Sequence, residues 1–277
     1  MIPAAFDYER ADNAEHALSL LAEHGDEAKL LAGGHSLIPL MKYRLAVPSV
    51  LIDIGRIGDL SYVNDGGDAL HIGALTRHRD VETNELVRSE APLLARATSS
   101  VGDPQVRHRG TIGGSLAHGD PASDLPSVLL AMRGSVIVTG PSGSRELAAD
   151  EFFTGFLETA VGPDEMVTEI RIPKAPGAGW SFQKFNRRAQ DWAIVGCSVL
   201  VDGDTCGVGL VNMDIRPVRA SAVEAAVASG ADAASAAESA AEGSDPTSDL
   251  NASAEYRQHL ARVLTKRALE EAGNFSA

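Results

Sequence analysis

The chain has 277 residues, 44% of them hydrophobic and 22% charged, the composition of a globular protein long enough for two domains or three small ones. Its 24 basic against 38 acidic residues leave a net charge of −14, which argues against non-specific nucleic-acid binding, since that rests on neutralising phosphates. No apolar run approaches the roughly 20 residues of a membrane span, and MIPAAFDYERAD has neither a basic n-region nor an apolar core, so the cytoplasm is the expected compartment.

Asp12 and Glu15 make a capping box, and Ala14, Ala17, Leu18 and Leu21 give one apolar face to a helix that Gly25 stops. A strand over 28–32 feeds into Gly33-Gly34-His35-Ser36, where Ser36 is placed to cap a helix over 37–45 with Pro39 in its first turn. Strand, glycine turn and helix point backbone N–H groups outward, where a diphosphate could sit; an ordinary strand–helix turn has the same spelling. Neither the dinucleotide fingerprint G-x-G-x-x-G nor a P-loop is present. Strands are expected over 50–54 and 69–73, the second after the turn Asn64-Asp65-Gly66-Gly67. Thr76 is placed to cap a helix carrying Val81, Leu86 and Val87, and Pro92 opens another over 93–100 that runs to Gly102-Asp103-Pro104.

Arg107 to Pro126, RHRGTIGGSLAHGDPASDLP, is the densest run of chemistry. Gly110, Gly113 and Gly114 fall within five positions. They remove the Cβ atoms that keep a ligand from the backbone, and consecutive N–H groups there can converge into an anion-holding nest. Asp120 and Asp124 offer acceptors suited to ribose or ribityl hydroxyls. The stretch reads as a site for a phosphorylated, polyhydroxylated cofactor, with a Gly/Pro/Asp-rich surface loop as the alternative.

Beyond it come a short helix through Val128, Leu129 and Leu130, strands over 135–139 and 166–172, and Phe152-Phe153 between them as core. The composition shifts at 173–179, PKAPGAG, which reads as a domain boundary. Strands over 181–185, 193–201 and 207–212 follow, the last two a hairpin on Asp202-Gly203-Asp204. The Ala-rich 221–242 favours helix by propensity, 243–251 is a polar loop, and Tyr256, Leu260, Val263 and Leu264 line one face of a final helix ending at Gly273. The sequons at Asn251 and Asn274 carry no weight without a signal peptide. The two cysteines, Cys197 and Cys206, read as small apolar strand residues. Two thiols fall short of the four ligands of an iron–sulfur cluster, and no histidine has zinc-site spacing, so any redox metal is expected on another chain.

AGGHSLIPLMKYRL at 32–45 and RGTIGGSLAHGDPASDLP at 109–126 resemble the paired FAD-binding motifs of the molybdenum-hydroxylase flavoproteins. MIPAAFDYERA and FQKFNRRAQDWAIVG are most similar to the medium subunits of aerobic carbon monoxide dehydrogenases, and the likeness runs through nearly the whole chain. The resemblance implies an α+β fold: an FAD-binding domain over 1–175, with subdomains at about 1–60 and 61–175, and a smaller C-terminal α+β domain over 176–277. It implies that backbone amides of Ala32, Gly33, Gly34, His35 and Ser36, and of Thr111, Ile112, Gly113, Gly114 and Ser115, hold the FAD diphosphate. Asp124 would bond ribityl or ribose hydroxyls, and Lys184 would reach the cofactor from the C-terminal side. Trp192 stands where relatives often place Tyr or Phe, and any of these can shield a flavin face. From the residues alone, Lys184 is equally an exposed strand lysine and Trp192 a half-buried strand aromatic. Relatives often carry Asn at the place of Ser115 and Ala at that of Gly119, changes a backbone-driven site tolerates.

In such an enzyme molybdopterin and 2Fe–2S clusters sit on partner chains, a large molybdenum subunit and a small iron–sulfur subunit, in an expected dimer of heterotrimers. The resemblance implies a flavin electron-transfer subunit, with a quinone as acceptor and peripheral membrane association as an option. No catalytic acid–base residue and no metal ligand is expected here; loop histidines His35 and His118 are expected to bond backbone. An FAD subunit of an aldehyde, xanthine or N-heterocycle dehydrogenase, and a non-catalytic nucleotide-binding assembly module, are the alternatives.

Overall fold

The computed structural model describes residues 2–203 and 205–273. The Asn274 sequon and Asp204 of the hairpin turn lie outside the described residues. Strands β1 (Asp7–Arg10), β2 (Ala28–Leu31) and β3 (Val50–Asp53) form a parallel sheet in the order β1-β3-β2. Helices α1 (Ala14–His24) and α2 (Leu37–Lys42) make the crossovers, and Ala17, Leu20, Leu21, Ile52 and Ile54 fill the core beneath. The cap of α1 is not Asp12: Asn13, one residue on, accepts from the His16 amide at 2.8 Å, and His16 lies at N3, where a capping side chain reaches. Ser36 makes no side-chain cap, and α2 stops at Lys42.

The second sheet is antiparallel, in the order β4-β5-β10-β6-β7, from β4 (Val63–Asp65), β5 (Ala69–Gly73), β6 (Ser135–Gly140), β7 (Gly143–Ala148) and β10 (Met166–Pro173). Six helices lie between β5 and β6: α3 (His78–Thr83), α4 (Glu85–Glu90), α5 (Pro92–Ser99), α6 (Pro104–Arg109), α7 (Ile112–His118) and α8 (Asp124–Ala131). The single helix expected after Thr76 is two, because Asn84 accepts from the Val87 amide and restarts the chain. Thr76 itself exchanges hydrogen bonds with the Tyr62 backbone. The short α9 (Ala149–Phe152) leads to the hairpin β8 (Phe153–Gly155) and β9 (Glu158–Thr159), and Phe152 and Phe153 pack edge to face in the core with centroids 5.0 Å apart.

The last sheet is antiparallel, β11 (Gly179–Phe185), β12 (Val195–Asp202), β13 (Thr205–Val211) and β14 (Val218–Arg219). Cys197, Val199, Cys206, Val208 and Leu210 point into a core closed by α10 (Ser221–Ala228), α11 (Ala233–Ala237) and α12 (Ala254–Ala272). The Ala-rich stretch is thus broken at Gly230, and Tyr256, expected on the buried face of α12, is exposed. Both thiols are buried and unpaired, and burial pushes each up to about 12.

The alternate residues of this sheet face α8. A Cβ at Gly207 would come 1.9 Å from the Ala131 carbonyl oxygen, and one at Gly209 2.0 Å from that of Ser127. The strand therefore lies on the helix backbone with nothing between, and Ser127 and Ser198 hydroxyls pair at 2.7 Å in the seam. All eight residues of α8 are buried. Gly209→Val forces backbone out of this contact and is expected to destabilise by roughly 3 kcal/mol, seen as a lower urea midpoint; an unchanged midpoint contradicts the packing.

Candidate cofactor site

The two glycine motifs meet. A Cβ at Gly33 would stand 2.3 Å from the Arg109 carbonyl oxygen and 2.8 Å from Gly110 Cα, so only glycine lets the first loop lie on the second. A Cβ at Gly114 would come within 3.8 Å of Ala32 Cβ, at the mouth of the same junction. Arg77 ties three loops together, donating to the Arg109 carbonyl and, at 3.1 Å, to that of Gly55. Antiparallel pairing of residues 76–78 with 110–112 locks the second motif to the start of α3, with His78 N–H on Gly110 O at 2.9 Å and Ile112 N–H on Thr76 O at 3.0 Å.

Their amides are not equivalent. Among the described residues, those of Ala32, Gly33, Gly34, His35 and Ser36 donate to no group of the chain. In the second motif, Ile112 N–H is taken by Thr76 O, Gly113 N–H by Ala74 O at 2.9 Å and Ser115 N–H by Thr111 O at 3.0 Å. Gly114 N–H has only a long 3.2 Å bond to Thr111 Oγ1, the N-cap of α7. The stretch is thus the start of a helix, not an open loop, and four of its five amides are already engaged, that of Gly114 by the N-cap side chain. The exposed anion-ready backbone lies chiefly in the AGGHS turn.

Lys184 is neither exposed nor free. Its Nζ lies 2.7 Å from Asp124 Oδ2 and 3.2 Å from Ser100 O, with both side chains of the pair nearly sealed from water. Burial raises the Asp124 carboxyl to about 6 despite the opposing lysine, and its second oxygen, Oδ1, is buried without a partner. The Asp120 carboxylate accepts from the Ala122 amide at 2.8 Å and shapes the turn. Ser115 Oγ sits 3.1 Å from Ser123 Oγ. Trp192 is in the coil before β12, not in a strand, and is 67% exposed. The rings of His35 and His118 make no hydrogen bond among the described residues, contrary to expectation: His35 is exposed, and His118 is the half-buried last residue of α7.

Beside Lys184 opens a cleft of about 600 Å³ between α5–α6 and the edge strand β11, lined among others by Ser100, Gly102, Arg107, Phe182 and Gln190. Arg107 of α6 lines the cleft and Arg109, the last residue of the same helix, abuts Gly33, so the amide turn and the cleft share one helix. An elongated ligand with an anionic centre and a ring at its end fits that layout. Sequence reading missed His78, whose buried ring under Gly110 is pushed down to about 4 by burial and so stays neutral. It also missed Arg77; its spacing from the glycines gave no signal.

A family model described as the FAD binding domain in molybdopterin dehydrogenase matches residues 4–175, and one described as the CO dehydrogenase flavoprotein C-terminal domain matches 180–272. The chain belongs to this family of molybdopterin-dehydrogenase flavoproteins. It is 39% identical to the carbon monoxide dehydrogenase medium chain of Hydrogenophaga pseudoflava, over 98% of each chain. It is 38% identical to the alpha subunit of the 6-hydroxypseudooxynicotine dehydrogenase complex of Paenarthrobacter nicotinovorans, over 98% of this chain and 96% of the other. The solved carbon monoxide dehydrogenase of Hydrogenophaga pseudoflava superposes with a TM-score of 0.96 at 40% identity, with all of both chains covered. No helix among the described residues is long and apolar enough to cross a membrane.

Asp124 gives the site a pH signature. Its carboxyl holds a proton more tightly folded than at its ordinary 3.8, so the stability this carries is full below 3.8 and is lost as pH rises through about 6. Asp124→Asn is expected to flatten that part of the stability curve in urea titrations between pH 4 and 7. An equal slope in both proteins would remove Asp124 as its source.

Proposed function

We propose that this chain is the FAD-carrying electron-transfer subunit of an aerobic carbon monoxide dehydrogenase. In this reading a large subunit oxidises carbon monoxide to carbon dioxide at molybdopterin, a small subunit carries 2Fe–2S clusters, and the acceptor is a quinone. The assembly is a dimer of heterotrimers in the cytoplasm, peripheral at the inner face of the membrane. The observation that carries the cofactor reading is the run of unpartnered amides from Ala32 to Ser36, pressed against the second glycine motif in a chain of this family.

The residues fit the cofactor. Ala32, Gly33, Gly34, His35 and Ser36 would present donors to the diphosphate, with Thr111 adding its free amide and Gly114 one held only by the Thr111 hydroxyl. Ile112, Gly113 and Ser115 build the floor. Asp124 would bond the sugar hydroxyls and Lys184 would reach the cofactor once the buried pair opens, with Asp124 Oδ1, which has no partner in the chain, as the acceptor. Trp192, exposed on its loop, would be free to shield a ring face. FAD held there would supply the one- and two-electron redox chemistry, and the chain would supply position and electrostatics. The working division is an FAD-binding domain over 1–175, in subdomains of about 1–60 and 61–175, and a C-terminal domain over 176–277.

The near-equal likeness to the 6-hydroxypseudooxynicotine dehydrogenase subunit supports a second reading, in which the complex hydroxylates an N-heterocycle. Anaerobic addition of carbon monoxide to the purified complex separates the two. Bleaching of the flavin bands supports the first, and bleaching only with a pyridine compound supports the second. Denaturing the complex is expected to release FAD at one per copy of this chain. Gly114→Val, which fills the space facing Ala32, is expected to lower the retained FAD by more than about tenfold; full retention in the folded variant overturns the placement.

A further inference from the structure

Arg257 is the largest side chain that the described fold buries completely, 2% exposed near the N-terminus of α12. Its companions on the buried face of that helix are Leu260, Ala261 and Leu264. A cation suits such a position poorly. Desolvating it is costly, and its partner Asp249, a carboxylate itself 44% exposed, offsets that cost only in part. A positive charge also runs against the dipole at the start of a helix, and the Arg257 Nε finds no acceptor at all. An apolar side chain of the same volume would pack here at least as well. The guanidinium is there for what its other two nitrogens hold.

They hold the loop over 186–194 that joins β11 to β12. One nitrogen donates to the Ile194 carbonyl, at the loop's exit. The other pairs with Asp249 Oδ2 at 2.9 Å. Asp249 Oδ1 accepts from the Asn251 amide at 2.8 Å, and Asn251 Oδ1 accepts from Arg187, at the loop's start, at 3.0 Å. Both ends of the loop are thus tied to one buried cation. Beside it Asn212, left-handed at φ 61°, donates from its side chain to the Ala193 carbonyl at 2.9 Å, and Ile194 N–H returns to Phe185 O at 2.8 Å. Between these anchors the loop has no regular structure, and its Asn186, Ala189 and Gln190 line the cleft beside Lys184.

We propose that Arg257 is a positioning residue for the ring end of the cofactor cleft: it sets where the 186–194 loop stands, and so how closely that wall encloses the ring. The inference rests on the functional reading above, in which the flavin ring takes the cleft. Arg257 bonds neither the amide turn nor the Asp124–Lys184 pair, so its route to the cofactor is the loop. Released from Arg257, the loop keeps its Asn212 and Phe185 anchors but loses the tie that spans both ends, and water and small solutes gain access to the ring.

The test uses the full chain, loaded with excess FAD and freed of unbound cofactor. Acrylamide quenching of flavin fluorescence reads access to the ring, and visible circular dichroism reads its surroundings. Arg257→Met and Asp249→Asn are expected to raise the quenching constant severalfold and to change the dichroism, with FAD still taken up. Arg187→Ala cuts only the tie at the loop's start, and a smaller rise in the same direction is expected. Arg257→Lys, which keeps the charge and a donor for Ile194 O, is expected to restore part of the protection lost in Arg257→Met. Val223→Ala, a truncation elsewhere in the same core, is expected to lower the urea midpoint and leave both flavin signals unmoved. Unchanged signals in the Asp249 and Arg187 variants overturn the proposal, whether or not Arg257→Met folds. So does an equal change in Val223→Ala, which makes Arg257 a core residue and nothing more. A wild-type chain that takes up no FAD overturns the functional reading and this proposal with it, whereas FAD uptake with unmoved variants overturns the proposal alone.

Discussion

Helix α8 is the constraint on which the architecture turns. An eight-residue helix with every side chain buried cannot sit on a surface. It has the second sheet and its helices on one side and the last sheet on the other, and the latter reaches it only because Gly207 and Gly209 remove two side chains from β13. That contact brings Lys184, on β11, over the start of α8, where Asp124 receives it. Asn212, at the end of β13, adds an N–H to Pro121 O at 2.7 Å. The Asp-Pro turn between α7 and α8 is thus held from both strands of the C-terminal sheet that reach it. The chemistry of the site is therefore shaped by a domain that carries no glycine motif.

The junction of the two glycine motifs follows a different rule. Residues 32–36 and 109–114 are far apart in sequence and come together because backbone packs on backbone at Gly33, with Arg77 crossing between carbonyls. Such a contact has no side chain to tune. It is fixed in shape, and it leaves polar backbone groups at its edge that only water or a ligand can satisfy. The second motif spends most of its amides on holding this geometry, and the first keeps its own free.

Much of this was written in the sequence. The strand-like runs over 193–201 and 207–212 became β12 and β13, which carry the two buried cysteines into the apolar core of the last sheet. The Phe152-Phe153 pair was core as expected, and the glycine motifs marked the place where the chain approaches itself. What the sequence hid depended on tertiary partners. Nothing in GTIGGS says that Thr76 and Ala74 would claim its amides, because those acceptors come from a segment more than thirty residues earlier. Asp124 reads as a polar loop residue until Lys184 arrives from the far side of the domain boundary. The capping error at α1 is of a smaller kind: Asp12 and Asn13 are adjacent caps, and a one-residue shift decides between them. Strand β7, with an exposed pattern on an edge, carries no apolar period to find.

The two buried thiols have a bearing on how such a chain survives its own work. Peroxide oxidises thiols by way of the thiolate. Cys197 and Cys206, both lifted to about 12 and enclosed by the last sheet and its helices, present none at physiological pH. The described fold has no oxidisable sulfur nucleophile at its surface. Cys197 lies against Thr265 of α12, so labelling of that thiol reports loss of the contact between this helix and the last sheet.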